Sequence, residues 1–542
     1  MSNSAVHSLP NQPFSRSSGL LMHISSLPGP FGIGDLGYEA YAFADFLLVA
    51  GQTIWQILPI VPVGHGYSPY SSPSTFAGNT LFISPDLLLE DGLLAAADLA
   101  YPNREEPGSV NFESASKFKR TVLKTAWDRF AGGGFSEIES ELQSFKGANH
   151  DWLTNFALFE AIKEVHGGQS WTEWPAALRD RELVGITDFA LKNGDLIEMI
   201  MFHQFLFDRQ WRALRSYCHE RHIALFGDLP IYVAQDSADV WANRNLFFLD
   251  NVGLPEVVSG VPPDYFSETG QRWGNPLYNW EVMKTDEYSW WVSRMKRVLG
   301  QVDLVRLDHF RAFEAYWEVP ASEETAIHGQ WTQGPGADLF ETLTKQLGTL
   351  PVIAENLGVI TNEVTHLMDA FGFPGMAILQ FAFNSGPENA FLPHNYSEDI
   401  VAYTGTHDND TLLGWWTDST STDSTSTQSE DEKVRERSYC AQYLCIDLVK
   451  DAEKSNSSSH MGETGQAQDF TWKAIRSLMA SRAKMVVTPV QDILTLGSHA
   501  RMNTPGTSSG NWGWRLEKRA LTPEIAAKLA ALTLETDRKH SV

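Results

Sequence analysis

The chain has 542 residues, 43% of them hydrophobic, with a formal net charge of −26 and a pI of about 5.0. That apolar share supports a large folded core and excludes a disordered chain. Strong acidity with no Lys/Arg cluster excludes nucleic acid as a partner, and the charge repels anionic membrane surfaces and anionic substrates, which leaves a neutral substrate.

Residues 1–18 read as an N-terminal extension. Residues 1–16 lack the basic start and apolar run of a secretory signal. No run of 18 apolar residues predicts a membrane span. Strand-like runs then follow at 19–24 and 53–60. Residues 81–221 are too long for a simple crossover. They carry helical patterns, as at 118–130 and 152–166, and predict an inserted helical subdomain. A third strand is expected at 223–233. Residues 236–300 form an active-site loop region, including the Gly- and Pro-rich stretch 260–270. Further strands are expected at 302–309, 350–357, 376–383, 400–406 and 484–494. Between the last two, the Ser/Thr-rich 418–430 and the polar 451–468 read as loops around a helical 432–450. Most of the eight runs are rich in Val, Ile, Leu or Phe without alternation, as strands buried on both faces should be. The expected fold is α/β: one catalytic (β/α)8 TIM barrel over 19–542 with long inserted, mainly helical subdomains. Cys218, Cys440 and Cys445 form no metal pattern and cannot all pair, so a reducing, cytoplasmic setting is expected.

Three carboxylates fall where such runs turn polar: Asp308, Glu355 and Asp408. The carboxyl ends of barrel strands carry the chemistry, and paired acids there suit glycosidic-bond cleavage. Any one of them, taken alone, serves equally well as a helix cap. Arg306 precedes Asp308 by two residues, so both face one side of the strand. The pair is either a structural salt bridge or an ionised nucleophile beside a guanidinium. Glu355 ends a buried run and reads as a proton donor or as an acid paired with a barrel cation. Asp228 is a sugar-hydroxyl acceptor or a turn residue. His23, His309 and His407 stand near these ends. A His with three acids could also hold a metal, but no ligand spacing accompanies them. Tyr70, Trp273, Trp415 and Trp416 lie beside turn residues, where exposed rings could stack on sugars.

The segments Gly19-Leu-Leu-Met-His-Ile-Ser-Ser-Leu-Pro28, Phe31-Gly-Ile-Gly-Asp-Leu-Gly37, Gln56-Ile-Leu-Pro59, Tyr67-Ser-Pro-Tyr70, Gly227-Asp-Leu-Pro230, Gly260-Val-Pro-Pro-Asp-Tyr-Phe266, Trp273-Gly-Asn-Pro276, Arg306-Leu-Asp-His-Phe-Arg311, Ala354-Glu-Asn-Leu-Gly358, Gly405-Thr-His-Asp-Asn-Asp410 and Asn503-Thr-Pro-Gly506 together resemble the amylomaltases, the 4-α-glucanotransferases also called disproportionating enzymes. The resemblance implies a retaining transferase acting on malto-oligosaccharides or starch- and glycogen-type glucans, with no metal or organic cofactor. By motif match, Asp308 resembles the nucleophile, Glu355 the acid/base, and Asp408 the third carboxylate that distorts and stabilises the donor sugar. Tyr70, Asp228, Trp273, Arg306, His309 and His407 match substrate-contacting positions, and Tyr265 falls in the active-site loop. The chain departs from the family pattern at Ala312, usually Gly, and at Asn356, often Asp; neither is a catalytic position. An α-glucan hydrolase would share the same acids and differ in admitting water. A silent glucan-binding protein would need the aromatics but not all three acids.

Overall fold

The structure is a computed structural model that describes residues 15–101, 108–263, 267–417, 429–446 and 460–538. Twelve strands lie among those residues: β1 (Ser17–Leu21), β2 (Ile54–Gln56), β3 (Ala224–Pro230), β4 (Val257–Val261), β5 (Gln271–Pro276), β6 (Leu304–Asp308), β7 (Ala315–Pro320), β8 (Gln330–Gln333), β9 (Val352–Ala354), β10 (Gly375–Ile378), β11 (Ile400–Tyr403) and β12 (Met485–Pro489). Eight of them, one in each run expected from the sequence, form a parallel sheet in the order β10-β11-β12-β1-β2-β3-β6-β9. Its two edges meet. The Ala354 amide donates to the Pro374 carbonyl at 2.9 Å, and the Met376 amide donates to the Asn356 side chain at 2.8 Å. Asn356 is therefore a closure residue of the barrel, whichever of Asn or Asp stands there.

Alternation along these strands separates inside from outside. Leu21, Ile54, Phe226, Leu304, Ile353, Met376, Ile378, Val401, Tyr403, Met485 and Val487 make one buried cluster inside the barrel. The intervening residues, such as Trp55, Leu225, Val305, Leu307 and Val486, join the larger core under the helices. Gly19 is fixed by close approach: a Cβ there would lie 2.3 Å from the Ile54 carbonyl oxygen. Because Leu304 faces inward, so do Arg306 and Asp308. Phe226 and Ile353 likewise set the direction of Asp228 and Glu355.

Between β2 and β3 the described residues hold seven α-helices, ending with the 27-residue Gly194–Glu220 that feeds β3. Residues 236–300 are not one loop. They contain the helices Ala238–Ala242, Trp280–Thr285 and Ser289–Gln301, and also β4 and β5. With β7 and β8 these strands form an antiparallel sheet, β5-β4-β7-β8, beside the barrel mouth. The N-terminal extension is shorter than expected, because Ser17 and Ser18 already pair with Met485 and Val486. The polar stretch 451–468 is a helix from His460 onward: His460–Ala480 is pinned by the buried Phe470, Ala474, Ile475, Leu478 and Met479 of its second half. Residues 418–428 and 451–459, where loops were expected, lie outside the described residues. Among the described residues no helix is long and apolar enough to cross a membrane.

Candidate active site

Arg306 organises the floor of the cleft. It is 4% exposed and donates from Nη1 to both oxygens of Asp228, at 3.0 and 2.8 Å. Its Nη2 pairs with Asp308 Oδ1 at 2.7 Å. One guanidinium thus serves two carboxylates on neighbouring strands. Burial works against its charge, but Asp228 and Asp308 hold Arg306 well above the ordinary guanidinium range. Asp228 is fully enclosed, and burial pushes its carboxyl up while Arg306 draws it back.

Tyr70 closes the other side of this pair. Its hydroxyl donates to Asp228 Oδ2 at 2.8 Å, and His407 Nε2 lies 2.8 Å from the same hydroxyl oxygen. The single phenolic proton goes to the carboxylate, so His407 carries its proton on Nε2 and donates to Tyr70. The two rings stack with centroids 5.2 Å apart. His407 Nε2 is also 3.4 Å from Asp408 Oδ2. A continuous polar chain therefore runs from Asp408 through His407, Tyr70, Asp228 and Arg306 to Asp308.

Glu355 sits under a different regime. It is buried, and its oxygens accept backbone N–H bonds from His309 and Leu357, both at 2.8 Å. The His309 donor is aimed by a left-handed backbone, φ 51°, just past the end of β6. Burial pushes the Glu355 carboxyl up to about 7. Arg306 pulls it down, the Asp308 charge raises it, and the two amides lower it. His309 is half-buried, and the loss of water around its ring pushes its imidazole down to about 4. Its Nε2 is enclosed with no hydrogen-bond partner among the described residues. Its ring meets Trp273 edge-on at 4.7 Å. Trp273, on β5, is 38% exposed.

The structure thus brings together nine of the residues singled out from the sequence: Asp308, Glu355, Asp408, Tyr70, Asp228, Arg306, His309, His407 and Trp273. Tyr265 lies outside the described residues. His23 is buried, and burial and the neighbouring His407 push it down to about 3. Trp415 and Trp416 pack against the hydrophobic core instead, Trp416 stacked on Phe470. Asn503 was missed as a site residue. Its amide donates to Asp408 Oδ1 at 2.6 Å, and Arg501 donates to the Asp408 carbonyl at 3.0 Å. The only sequence signal was the Asn503-Thr-Pro-Gly506 turn. Among the described residues no group of three or more His, Cys, Asp or Glu side chains is arranged to hold a metal ion.

The family model for 4-alpha-glucanotransferase matches residues 22–522. Over 525 residues the chain is 44% identical to a 4-alpha-glucanotransferase of Thermus thermophilus, covering 96% of this chain and 99% of that one. Over 510 residues it is 42% identical to a chloroplastic/amyloplastic 4-alpha-glucanotransferase of Arabidopsis thaliana, covering 94% and 83%. Among solved structures, the amylomaltase from Streptococcus agalactiae in complex with acarbose matches with a TM-score of 0.87 at 37% identity, over 97% of this chain and all of that one. The amylomaltase from Corynebacterium glutamicum shares the fold, with a TM-score of 0.74 at 17% identity over 96% and 75%.

Proposed function

The chain belongs to the 4-alpha-glucanotransferase family, and from that premise we propose the role of each residue in its cleft. The enzyme transfers segments of a 1,4-alpha-glucan to the 4-hydroxyl of an acceptor glucan or glucose, by a retaining double displacement through a covalent glycosyl-enzyme. In the first displacement Glu355, as the carboxylic acid, gives its proton to the glycosidic oxygen. The Asp308 carboxylate attacks the anomeric carbon, and the leaving glucan departs. In the second, Glu355 as carboxylate takes the proton of the acceptor 4-hydroxyl. That oxygen displaces Asp308, and two inversions restore the α configuration.

The observation that carries this reading is the unlike setting of the two acids. Asp308 is ion-paired to Arg306, as a nucleophile requires. Glu355 is buried with its carboxyl raised to about 7, which lets one group serve first as acid and then as base. Asp408, held by Asn503 and still 40% exposed at its side chain, grips hydroxyls of the donor sugar. Tyr70, Asp228, His309 and His407 complete that grip, and Trp273 offers the acceptor a stacking face. Malto-oligosaccharides and starch- or glycogen-type glucans are the substrates. The three free cysteines, one of them exposed, support a cytoplasmic setting.

Incubation with maltotriose tests the reaction. Disproportionation gives glucose and a ladder of longer oligomers. Glucose and maltose with no ladder would identify a hydrolase using the same acids.

A further inference from the structure

We propose that Arg294, outside the cleft, is the positioning residue that sets the Tyr70–Asp228 pair against the donor sugar. The proposal rests on the reading above, in which Tyr70 and Asp228 contact that sugar.

Arg294 projects from the helix Ser289–Gln301 and is 1% exposed. Burial works against its charge, so a cation placed there needs a reason. Its donors are spent on two chain segments. Nη2 donates to the Pro230 carbonyl at 2.5 Å and Nη1 to the Ile231 carbonyl at 2.8 Å. Both carbonyls lie just beyond Asp228 at the end of β3. Nε donates to Thr75 Oγ1 at 2.8 Å, five residues beyond Tyr70. Trp290 and Trp291 flank the guanidinium at 5.4 and 4.7 Å and fix its plane.

The surroundings make both segments into one unit. Tyr278 donates to the Ile231 carbonyl at 2.8 Å, and Arg294 Nη1 reaches the same phenol at 3.2 Å. The Thr75 amide donates to Asp239 Oδ2 at 2.8 Å, and the Ala238 amide to the Pro73 carbonyl at 2.8 Å. At the cleft, the two segments meet again through the Tyr70–Asp228 hydrogen bond. Arg294 thus closes from below a loop that Tyr70 closes from above. Packing does not do this alone. A cavity of about 40 Å³ is lined by Tyr70, Thr75, Asp228, Pro230 and Arg294, among others. Directional bonds from a planar fork therefore define where the segments stand, a task that the single point charge of lysine cannot perform.

A double-mutant cycle tests this, with initial rates of maltotriose disproportionation as the readout. Arg294→Met should lower kcat by about 30-fold and Thr75→Val by about fivefold, with KM little changed, because positioning is felt in the transition state. Arg294→Lys should not rescue the loss. In a Tyr70→Phe background the same changes should each cost less than about twofold, because the group they position is already disabled. Losses that multiply in full in that background would overturn the clamp and leave the sugar-contact reading standing. Tyr70→Phe with no loss of its own would overturn both. Should Arg294→Met fail to fold, Thr75→Val and Arg294→Lys run the same cycle.

Discussion

Two strand ends on one rim hold a carboxylate under opposite conditions. At the end of β6, Asp308 faces the Arg306 guanidinium at 2.7 Å and keeps part of its surface in solvent. Just past β9, Glu355 is buried, bonded by the amides of His309 and Leu357 at 2.8 Å, and raised to about 7. The functional group is the same and the strands are adjacent. What differs is whether the nearest donor is a full charge or a pair of backbone dipoles, and how much water is left. A barrel rim can therefore produce a nucleophile and a neutral-range acid by the choice of one neighbour, and the roles follow from setting rather than from residue type.

The sharpest way to break that comparison is to change the donor substrate. Asp308→Asn should lower turnover by about 10,000-fold with maltotriose and equally with α-glucosyl fluoride, because both need a nucleophile. Glu355→Gln should lose about 1,000-fold with maltotriose but release fluoride in the first turnover at a rate near the parent's, since fluoride leaves without a proton. Equal losses on both donors would remove the distinction between the two acids. A smaller effect comes from the shared cation. The parent rate should fall as pH rises through about 7, where Glu355 loses its proton. Arg306 pulls that group down, so Arg306→Met, besides a loss of about 100-fold, should move this alkaline limb upward. A limb that stays in place would mean that Arg306 does not tune Glu355. Smaller again is the effect of Trp273, which stands against His309 just past the end of β6. Trp273→Ala should raise hydrolysis relative to transfer by about fivefold by opening the intermediate to water. Reducing-end release measured beside oligomer formation gives the ratio, and an unchanged ratio would confine Trp273 to a structural role.

Much of this site was legible in the chain because its strands are buried on both faces. Val352-Ile-Ala354 and Leu304-Val305 stand out as unalternating apolar runs, and the acids that follow them mark the rim. The antiparallel sheet was not legible. Its strands mix Gly, Gln, Trp and Pro, and the β4–β5 register shifts between Val258 and Gly260, so neither period two nor a continuous apolar run survives. Asn503 was hidden because an irregular turn positions it, and Arg294 because arginine on a helix reads as solvent-facing until its partners are seen.

The smallest effect is one of stability, and it separates the two acids without any substrate. A carboxyl raised from 4.5 to about 7 on folding binds its proton more tightly in the native state than in the unfolded one. Its favourable share is therefore fully present below pH 4.5 and is lost as pH rises through 7. Above that, keeping Glu355 ionised in its buried place costs stability. Glutamine cannot titrate, so Glu355→Gln escapes this cost. It incurs another, because its amide NH2 must face one of the two N–H donors of His309 and Leu357. That penalty does not depend on pH and cancels when two pH values are compared. Between pH 5 and pH 8 the variant should gain about 2–3 kcal/mol on the parent, or about 2 °C in Tm for a chain of this size. Melting curves of both proteins at the two pH values measure it. A Tm difference that is the same at pH 5 and pH 8 would mean that Glu355 is not raised by its burial, and the contrast with Asp308 would then have to rest on geometry alone.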